Sequence, residues 1–208
     1  MILREPIGRA GEIPAATVQS GWKKRGVFEL NNVSLRTKNL SKMGILAAIS
    51  IVLVVVVHFP IFPALAFLEY DPADIPILLG TFAMGPVQGL LITIVVVLIQ
   101  AFGLGGNGLY GALMHFIATG IYVTVAGNLY KKKKTKKRAI VALICGVVSW
   151  VLVMIPANLF ITSAFMGVPR AVIVQYLPMI CLFNLIKAGV NSVLTFFLYK
   201  RVSPILHK

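Results

Sequence analysis

Four polar residues recur along one apolar stretch near the end of the chain. Asn184, Lys187, Asn191 and Thr195 lie at i, i+3, i+7 and i+11 of "NLIKAGVNSVLT", so a helix places them on one face. Lys187 is the only charged residue between Cys181 and Lys200. A lysine in such a segment is costly to insert in a membrane and nearly always faces a cavity or a partner. We therefore expect Asn184 and Lys187 to face a polar cavity and to bind a ligand there.

Two structural roles for Lys187 are the alternatives. If the helix begins near Pro178, Lys187 lies about 13 Å from the start, which is far for its side chain to extend to the membrane surface. A hydrogen bond to a helix end or a neighbouring carbonyl is the other possibility. No Asp or Glu follows Asp74, so the later segments offer the lysine no salt-bridge partner.

A second polar site is expected in "MIPANLFIT". Pro156 kinks a helix and frees backbone carbonyls near Asn158. By itself Asn158 fits a structural bond between helices as well as a ligand contact, but together with Asn184 and Lys187 it fits a pocket. Gln100 and His115 are candidate neighbours, although each alone is expected to be a packing residue with its hydrogen bonds satisfied.

The composition defines the class of protein that must position these side chains. The chain has 208 residues, of which 58% are hydrophobic and 12% charged, about half the charged fraction of a soluble domain. This composition predicts an integral membrane protein. The net charge of +14 comes largely from basic blocks at the ends of apolar segments, which is a topology signal rather than a nucleic-acid site. Cys145 and Cys181 lack metal-ligand spacing, and no metal site is expected.

The sequence also lacks the usual signatures of an enzyme. It contains no GxSxG, HExxH or P-loop motif, and the apolar segments hold no pair of acids. Without carboxylates in the later segments, proton pumping along carboxylates is not expected either. One lysine, several amides and many aromatic residues suit the binding of a neutral or weakly anionic organic molecule.

The apolar segments predict an all-α membrane protein with six transmembrane helices. Five segments are strong: 43–59, 86–104, 109–130, 139–165 and 172–199. A shorter one, 74–86, must also cross if every basic block, including "KKKKTKKR" at 131–138, is to be cytoplasmic. We therefore expect a short second span, both termini in the cytoplasm, and Glu69, Asp71 and Asp74 in an outside loop.

Three regions follow from this pattern. Residues 1–40 are basic and are expected to be a disordered cytoplasmic tail, residues 41–202 a transmembrane substrate-binding domain, and residues 203–208 a second cytoplasmic tail. Gly44, Ala47 and Ala48 are small residues that would let a partner helix approach the first span closely. The outside loop, "PIFPALAFLEYDPADIP", is apolar and proline-rich, so it is expected to fold and cap a cavity; lying on the membrane surface is the alternative.

The motifs "FLEYDPADIPILLGTFAMGP", "NLFIT" and "FNLIKAG" together resemble the riboflavin-binding S components of energy-coupling factor (ECF) vitamin transporters. The resemblance covers roughly residues 40–202. It implies six helices in a bacterial cell membrane, an outward-facing vitamin pocket, and a first extracellular loop that acts as a gate. It also implies transport together with a transmembrane coupling subunit and two ATPases. Riboflavin is then the ligand, and no catalysis or cofactor is implied.

The resemblance assigns roles to particular residues. Asn184 and Lys187 match the Asn-x-x-Lys of the family's last helix, and Asn158 matches the asparagine of its fifth. Leu68, Glu69 and Tyr70 fall in the gate loop that covers the flavin ring, and Gly44, Ala47 and Ala48 on the face that meets the coupling subunit. Relatives often carry Lys-Asn where this chain has Ile99 and Gln100, and asparagine in place of His115.

Other functions remain possible from the sequence. An S component for folate, thiamine or pantothenate is the nearest alternative, since a lysine suits an anionic vitamin. A secondary transporter that works alone belongs to a different class, and a membrane-embedded enzyme is the third. The colour of the purified protein separates a riboflavin-binding S component from one for another vitamin, because a bound flavin is yellow.

Overall fold

The computed structural model describes residues 15–104 and 107–206 of the chain. By contacts the chain divides into residues 1–40 and residues 41–208. The sequence predicted a disordered tail over residues 1–40; helix α1, Ala15–Val56, takes in part of that stretch, and residues 1–14 lie outside the described residues. The site discussed below belongs to residues 41–208.

The described residues after α1 form a helical bundle with one small sheet. Strands β1 (Phe59–Pro60) and β2 (Glu69–Tyr70) pair antiparallel, with a 3-10 turn at Pro63–Leu65 between them. The further helices are α2 (Asp74–Met84), α3 (Pro86–Ile99), α4 (Gly108–Lys132), α5 (Lys136–Ala157), α6 (Ser163–Met166) and α7 (Arg170–Leu206). Two π-helical turns, Gln100–Leu104 and Asn158–Thr162, follow α3 and α5.

Four of the described helical stretches are long and apolar enough to cross a membrane: Arg36–Val56, Gly108–Lys132, Lys136–Met166 and Arg170–Val202. Two shorter apolar stretches, Asp74–Met84 and Pro86–Phe102, lie between the first and second of these. The sequence predicted only the second span to be short, whereas the stretch after it is short as well. The all-α membrane class follows from these helices, and the count of six spans stays a prediction.

The bundle core contains small residues where helices cross closely. A side chain at Gly146 of α5 would overlap the ring of Tyr122 on α4, and one at Gly127 of α4 would lie 2.8 Å from Pro86 Cβ. Tyr122 is completely buried and packs edge-on against Trp150 with ring centroids 5.8 Å apart. Close approach at glycine thus sets the α4–α5 distance and the position of Trp150.

The segment before α2 packs onto α7. Leu65 and Leu68 of this segment are buried with Ile173, Ile180 and Phe183 of α7 in one apolar cluster. Burying each such side chain contributes about 1.5–3 kcal/mol. The segment is therefore a folded part of the bundle, as its apolar composition predicted.

Candidate functional site

A cavity lies between the segment that precedes α2 and helices α4, α5 and α7. Its wall combines the segment's Leu68 and Glu69 with polar and aromatic side chains of the helices. The other polar or aromatic residues that line it are Phe67, Asp71, Gln100, Asn107, Tyr110, His115, Trp150, Asn158, Phe183, Asn184 and Lys187. A cavity with aromatic walls and a few polar groups is typical of a site for a small organic molecule.

Lys187 is buried at the cavity wall and has a carboxylate partner. Its Nζ lies 2.7 Å from Asp71 Oδ2 and 3.4 Å from the backbone oxygen of Glu69. The later segments indeed offer Lys187 no partner, but the segment before α2 supplies one, which the sequence did not predict. Asp71 belongs to the segment before α2, and because this segment packs along α7, Asp71 meets the middle of that helix. Lys187 thus lines the cavity and fixes the segment at the same time.

The two predicted asparagines also line the cavity, and each is held by its own helix. Asn184 Nδ2 donates to Ile180 O at 2.8 Å, and its Oδ1 accepts from Trp150 Nε1 at 2.7 Å. Asn158 Nδ2 donates to Met154 O at 2.8 Å, and its Oδ1 accepts from Thr162 at 2.9 Å. Because a carboxamide has two N–H groups and two acceptor lone pairs, each side chain keeps one donor and one acceptor for a ligand.

Asn191, one turn beyond Lys187 on α7, does not line the cavity but holds the segment on α7; we call this set of hydrogen bonds the clamp. Asn191 Nδ2 donates to Asp71 O at 3.2 Å and to Asp74 Oδ2 at 2.9 Å, while its Oδ1 accepts from the Tyr70 hydroxyl at 3.0 Å. Burial raises the pKa of the Tyr70 hydroxyl, which keeps it a donor. Thr195 Oγ1, also buried, has no hydrogen-bond partner among the described residues. The polar face of α7 therefore divides between the cavity and the clamp.

A second hydrogen-bond network joins Gln100 and His115, which line the cavity, to buried Asp74. His115 Nδ1 lies 2.6 Å from Gln100 Oε1, and His115 Nε2 lies 3.2 Å from Asp74 Oδ1. The same carboxylate oxygen accepts from Thr119 Oγ1 at 2.5 Å. Asp74 is completely buried, so these contacts replace the water that it loses.

The structure brings together most of the residues that the sequence singled out. Asn158, Asn184, Lys187, Leu68 and Glu69 all line the cavity, whereas Tyr70 does not and instead bonds to Asn191. On α1, Gly44 and Ala48 are exposed, while Ala47 is buried in the bundle core. The role of each residue toward a ligand or a partner stays a prediction.

Sequence reasoning missed the buried acids. It expected Asp71 and Asp74 in a folded, partly buried outside loop but did not predict that both are bonded to α7; the side of the membrane on which they lie stays a prediction. Two features of the sequence indicated them. A lysine in an apolar segment needs a counter-ion, and Asp71 and Asp74 lie immediately before the apolar residues of a short helix. Trp150, which fixes Asn184, carried no sequence signal.

The fold defines a helical membrane protein, with a cavity lined by polar and aromatic side chains between its helices. A family profile described as the ECF transporter substrate-specific component matches residues 38–199. The chain belongs to this family.

Known relatives and a solved structure agree with this assignment. The chain is 30% identical to the riboflavin transporter RibU of Staphylococcus aureus (strain TCH60) over 83% of this chain and 94% of that protein. It is also 30% identical to the riboflavin transporter RibU of Lactococcus lactis subsp. cremoris (strain NZ9000), over 60% of this chain, and spans 62% of that protein's length. A solved S component of a bacterial ECF transporter superposes with a TM-score of 0.74 at 29% identity, covering 83% of this chain and 99% of that one.

Proposed function

We propose that this chain is the riboflavin-binding subunit of an ECF-type vitamin transporter. The observation that carries the proposal is the meeting of Asn158, Asn184 and Lys187 with Leu68 and Glu69 around one cavity. These five residues come from α7, the π-helical turn after α5 and the segment before α2. The names of the relatives in Staphylococcus and Lactococcus support riboflavin as the vitamin.

The chemistry of the cavity suits a flavin with a polyhydroxylated chain. The carboxamides of Asn158 and Asn184 each keep a donor and an acceptor, which is what hydroxyl groups require. Lys187 supplies a further donor for a ring carbonyl. Phe67, Tyr110, Trp150 and Phe183 provide aromatic surface for the ring system.

In this proposal the pocket opens to the outside, and the segment of residues 59–73 is the gate. Support comes from its contacts: the segment forms one wall of the cavity and is held on α7 by Lys187 and Asn191. The segment is held both by these polar contacts and by its apolar cluster with α7, and a wall formed by one loop segment is suited to opening and closing over a ligand.

The proposal includes the assembly and its setting. The chain crosses a bacterial cell membrane six times with both termini in the cytoplasm, binds the vitamin without catalysis or a cofactor, and works with a transmembrane coupling subunit and two ATPases. Exposed Gly44 and Ala48 on α1 are the proposed contact with the coupling subunit.

Ligand binding by the purified full chain tests the proposal. Riboflavin, FMN, folate, thiamine and pantothenate are titrated separately by calorimetry, and the absorbance of the protein is recorded as purified. We expect riboflavin to bind at one site and to be quenched in fluorescence by Trp150, which lines the cavity. Binding of another vitamin without riboflavin would refute the choice of ligand. Uptake by vesicles that lack ATPase subunits would instead favour a transporter that works alone.

A further inference from the structure

We propose that Gln100 contacts the ligand, and that a buried ion pair of His115 and Asp74 orients its carboxamide so that the N–H groups face the cavity. The ligand group at this point is then a hydrogen-bond acceptor, such as a ring carbonyl. The inference rests on the proposed function for the identity of the ligand. The charge of His115 and the orientation of Gln100 are argued from the hydrogen-bond geometry together with the balance of buried charge, without reference to the ligand.

The orientation is fixed by groups that can only accept a hydrogen bond. The backbone oxygen of Asp71 lies 3.2 Å from Asn191 Nδ2, so this atom is the amide nitrogen of Asn191 and not its oxygen. The same nitrogen therefore donates to Asp74 Oδ2 at 2.9 Å, and Thr119 Oγ1 donates to Asp74 Oδ1. Both oxygens of Asp74 therefore face groups that can donate, which is the arrangement that suits an ionised carboxylate.

His115 lies between two acceptor atoms. Its Nε2 faces Asp74 Oδ1 and its Nδ1 faces Gln100 Oε1. A histidine donates from both nitrogens only as the imidazolium cation, because a neutral ring has one donor and one acceptor. With a neutral ring, Gln100 would have to turn its carboxamide by half a rotation and present its oxygen to the cavity instead.

The balance of charge favours the cation. Lys187 is paired with Asp71 and also attracts Asp74, so one lysine faces two buried carboxylates. A second cation is needed to balance both charges, and a protonated His115, whose Nε2 lies 3.2 Å from Asp74 Oδ1, supplies it. The titratable groups around the pair are Glu69, Tyr70, Asp71, Tyr110, Tyr122 and Lys187.

Gln100 is left with a free donor at the cavity. Its Oε1 is taken by His115, and no described residue accepts a hydrogen bond from its Nε2. Gln100 belongs to the π-helical turn after α3 and lines the cavity. An acceptor oxygen of the ligand would accept a hydrogen bond from Gln100 Nε2 and so extend the network of Asp74, His115 and Gln100. A donor group of the ligand at the same position would be left unpaired.

A double-mutant cycle on riboflavin affinity tests the coupling. We expect Gln100→Leu to weaken binding about 10-fold, the loss of one hydrogen bond to a carbonyl. The paired variant His115→Phe with Asp74→Asn removes both charges together, so no buried ion is left alone, and we expect a similar loss. Combining all three substitutions should add little, because His115 acts through Gln100. Gln88→Leu, the same change on α3 outside the cavity, should bind like the parent.

Three outcomes would overturn the inference while the proposed function stands: riboflavin affinity unchanged in Gln100→Leu, additive losses in the cycle, or an equal loss in Gln88→Leu. A parent chain that does not bind riboflavin would overturn the proposed function instead.

Nitrogen-15 labelling of histidine in the parent chain tests independently whether His115 and Asp74 form an ion pair. The signal that disappears in the paired variant belongs to His115; two protonated ring nitrogens at neutral pH support the pair, and one unprotonated nitrogen refutes it.

Discussion

Lys187 both binds the segment before α2, through Asp71 and the backbone oxygen of Glu69, and lines the cavity, so its removal must affect both. Lys187→Met takes away a ligand donor and also leaves Asp71 buried without a counter-ion. Breaking a buried pair in this way typically costs about 3–5 kcal/mol of the free energy of unfolding. We therefore predict that Lys187→Met lowers the unfolding midpoint in detergent and weakens riboflavin binding at least 10-fold.

The double variant Lys187→Met with Asp71→Asn separates these two effects. Replacing both charges removes the unpaired carboxylate, so the unfolding midpoint should recover most of its loss while riboflavin binding stays weak. Lys200→Met, on the exposed part of α7, is the matched control and should change neither property. If the double variant bound riboflavin as tightly as the parent, Lys187 would be a structural residue only.

At the scale of elements, the α4–α5 contact decides where Trp150 and its partner Asn184 lie. A methyl group at Gly146 would overlap the Tyr122 ring, and Tyr122 packs against Trp150. Gly146→Ala should therefore cost about 1–3 kcal/mol through overpacking and weaken riboflavin binding through the displaced indole. Unfolding midpoints and calorimetric titrations measure the two effects.

Gly189→Ala is the control for this change. A Cβ at Gly189 of α7 meets nothing within 4 Å, and alanine in a helix is favoured over glycine by about 0.5–1 kcal/mol. The unfolding midpoint should rise slightly, with riboflavin affinity unchanged. An equal fall in both variants would mean that loss of glycine, not the contact with Tyr122, determines the result.

The helices themselves could be predicted from the sequence, whereas the contacts between them could not. Hydropathy predicted each apolar helix, and the 3.6-residue period placed Asn184 and Lys187 on one face of α7. Periodicity within one helix cannot reveal a partner on another chain segment, so the contact between Lys187 and Asp71 was missed. The π-helical turns at Gln100–Leu104 and Asn158–Thr162 add a residue per turn and shift the faces beyond them. The sequence named Gln100 and His115 as candidate neighbours of Asn158, and both line the cavity.

For the whole molecule, the distribution of charge predicts the orientation in the membrane. Within residues 41–208 all three acids precede residue 75, and the lysine run is at 131–138. In a variant with Cys145→Ala and Cys181→Ala, a single cysteine at exposed His58 should react with an impermeant maleimide on intact cells. A single cysteine at exposed Lys134 should react only after the cells are permeabilised. Labelling of Lys134→Cys on intact cells would contradict the six-span arrangement.

If the chain works with a coupling subunit, a change on the surface that contacts this subunit should impair transport of the vitamin but not its binding. Gly44 and Ala48 are exposed on α1, and nothing lies within 4 Å of a Cβ at Gly44. Gly44→Leu with Ala48→Leu should therefore leave folding and riboflavin affinity unchanged but reduce uptake in cells at least 10-fold, since a large side chain prevents a second helix from packing closely. Gly189→Leu, an equally open position on α7, tests whether any added bulk has this effect. Normal uptake in the α1 variant would show that the coupling subunit binds another face, whereas lost binding would show that α1 supports the pocket itself.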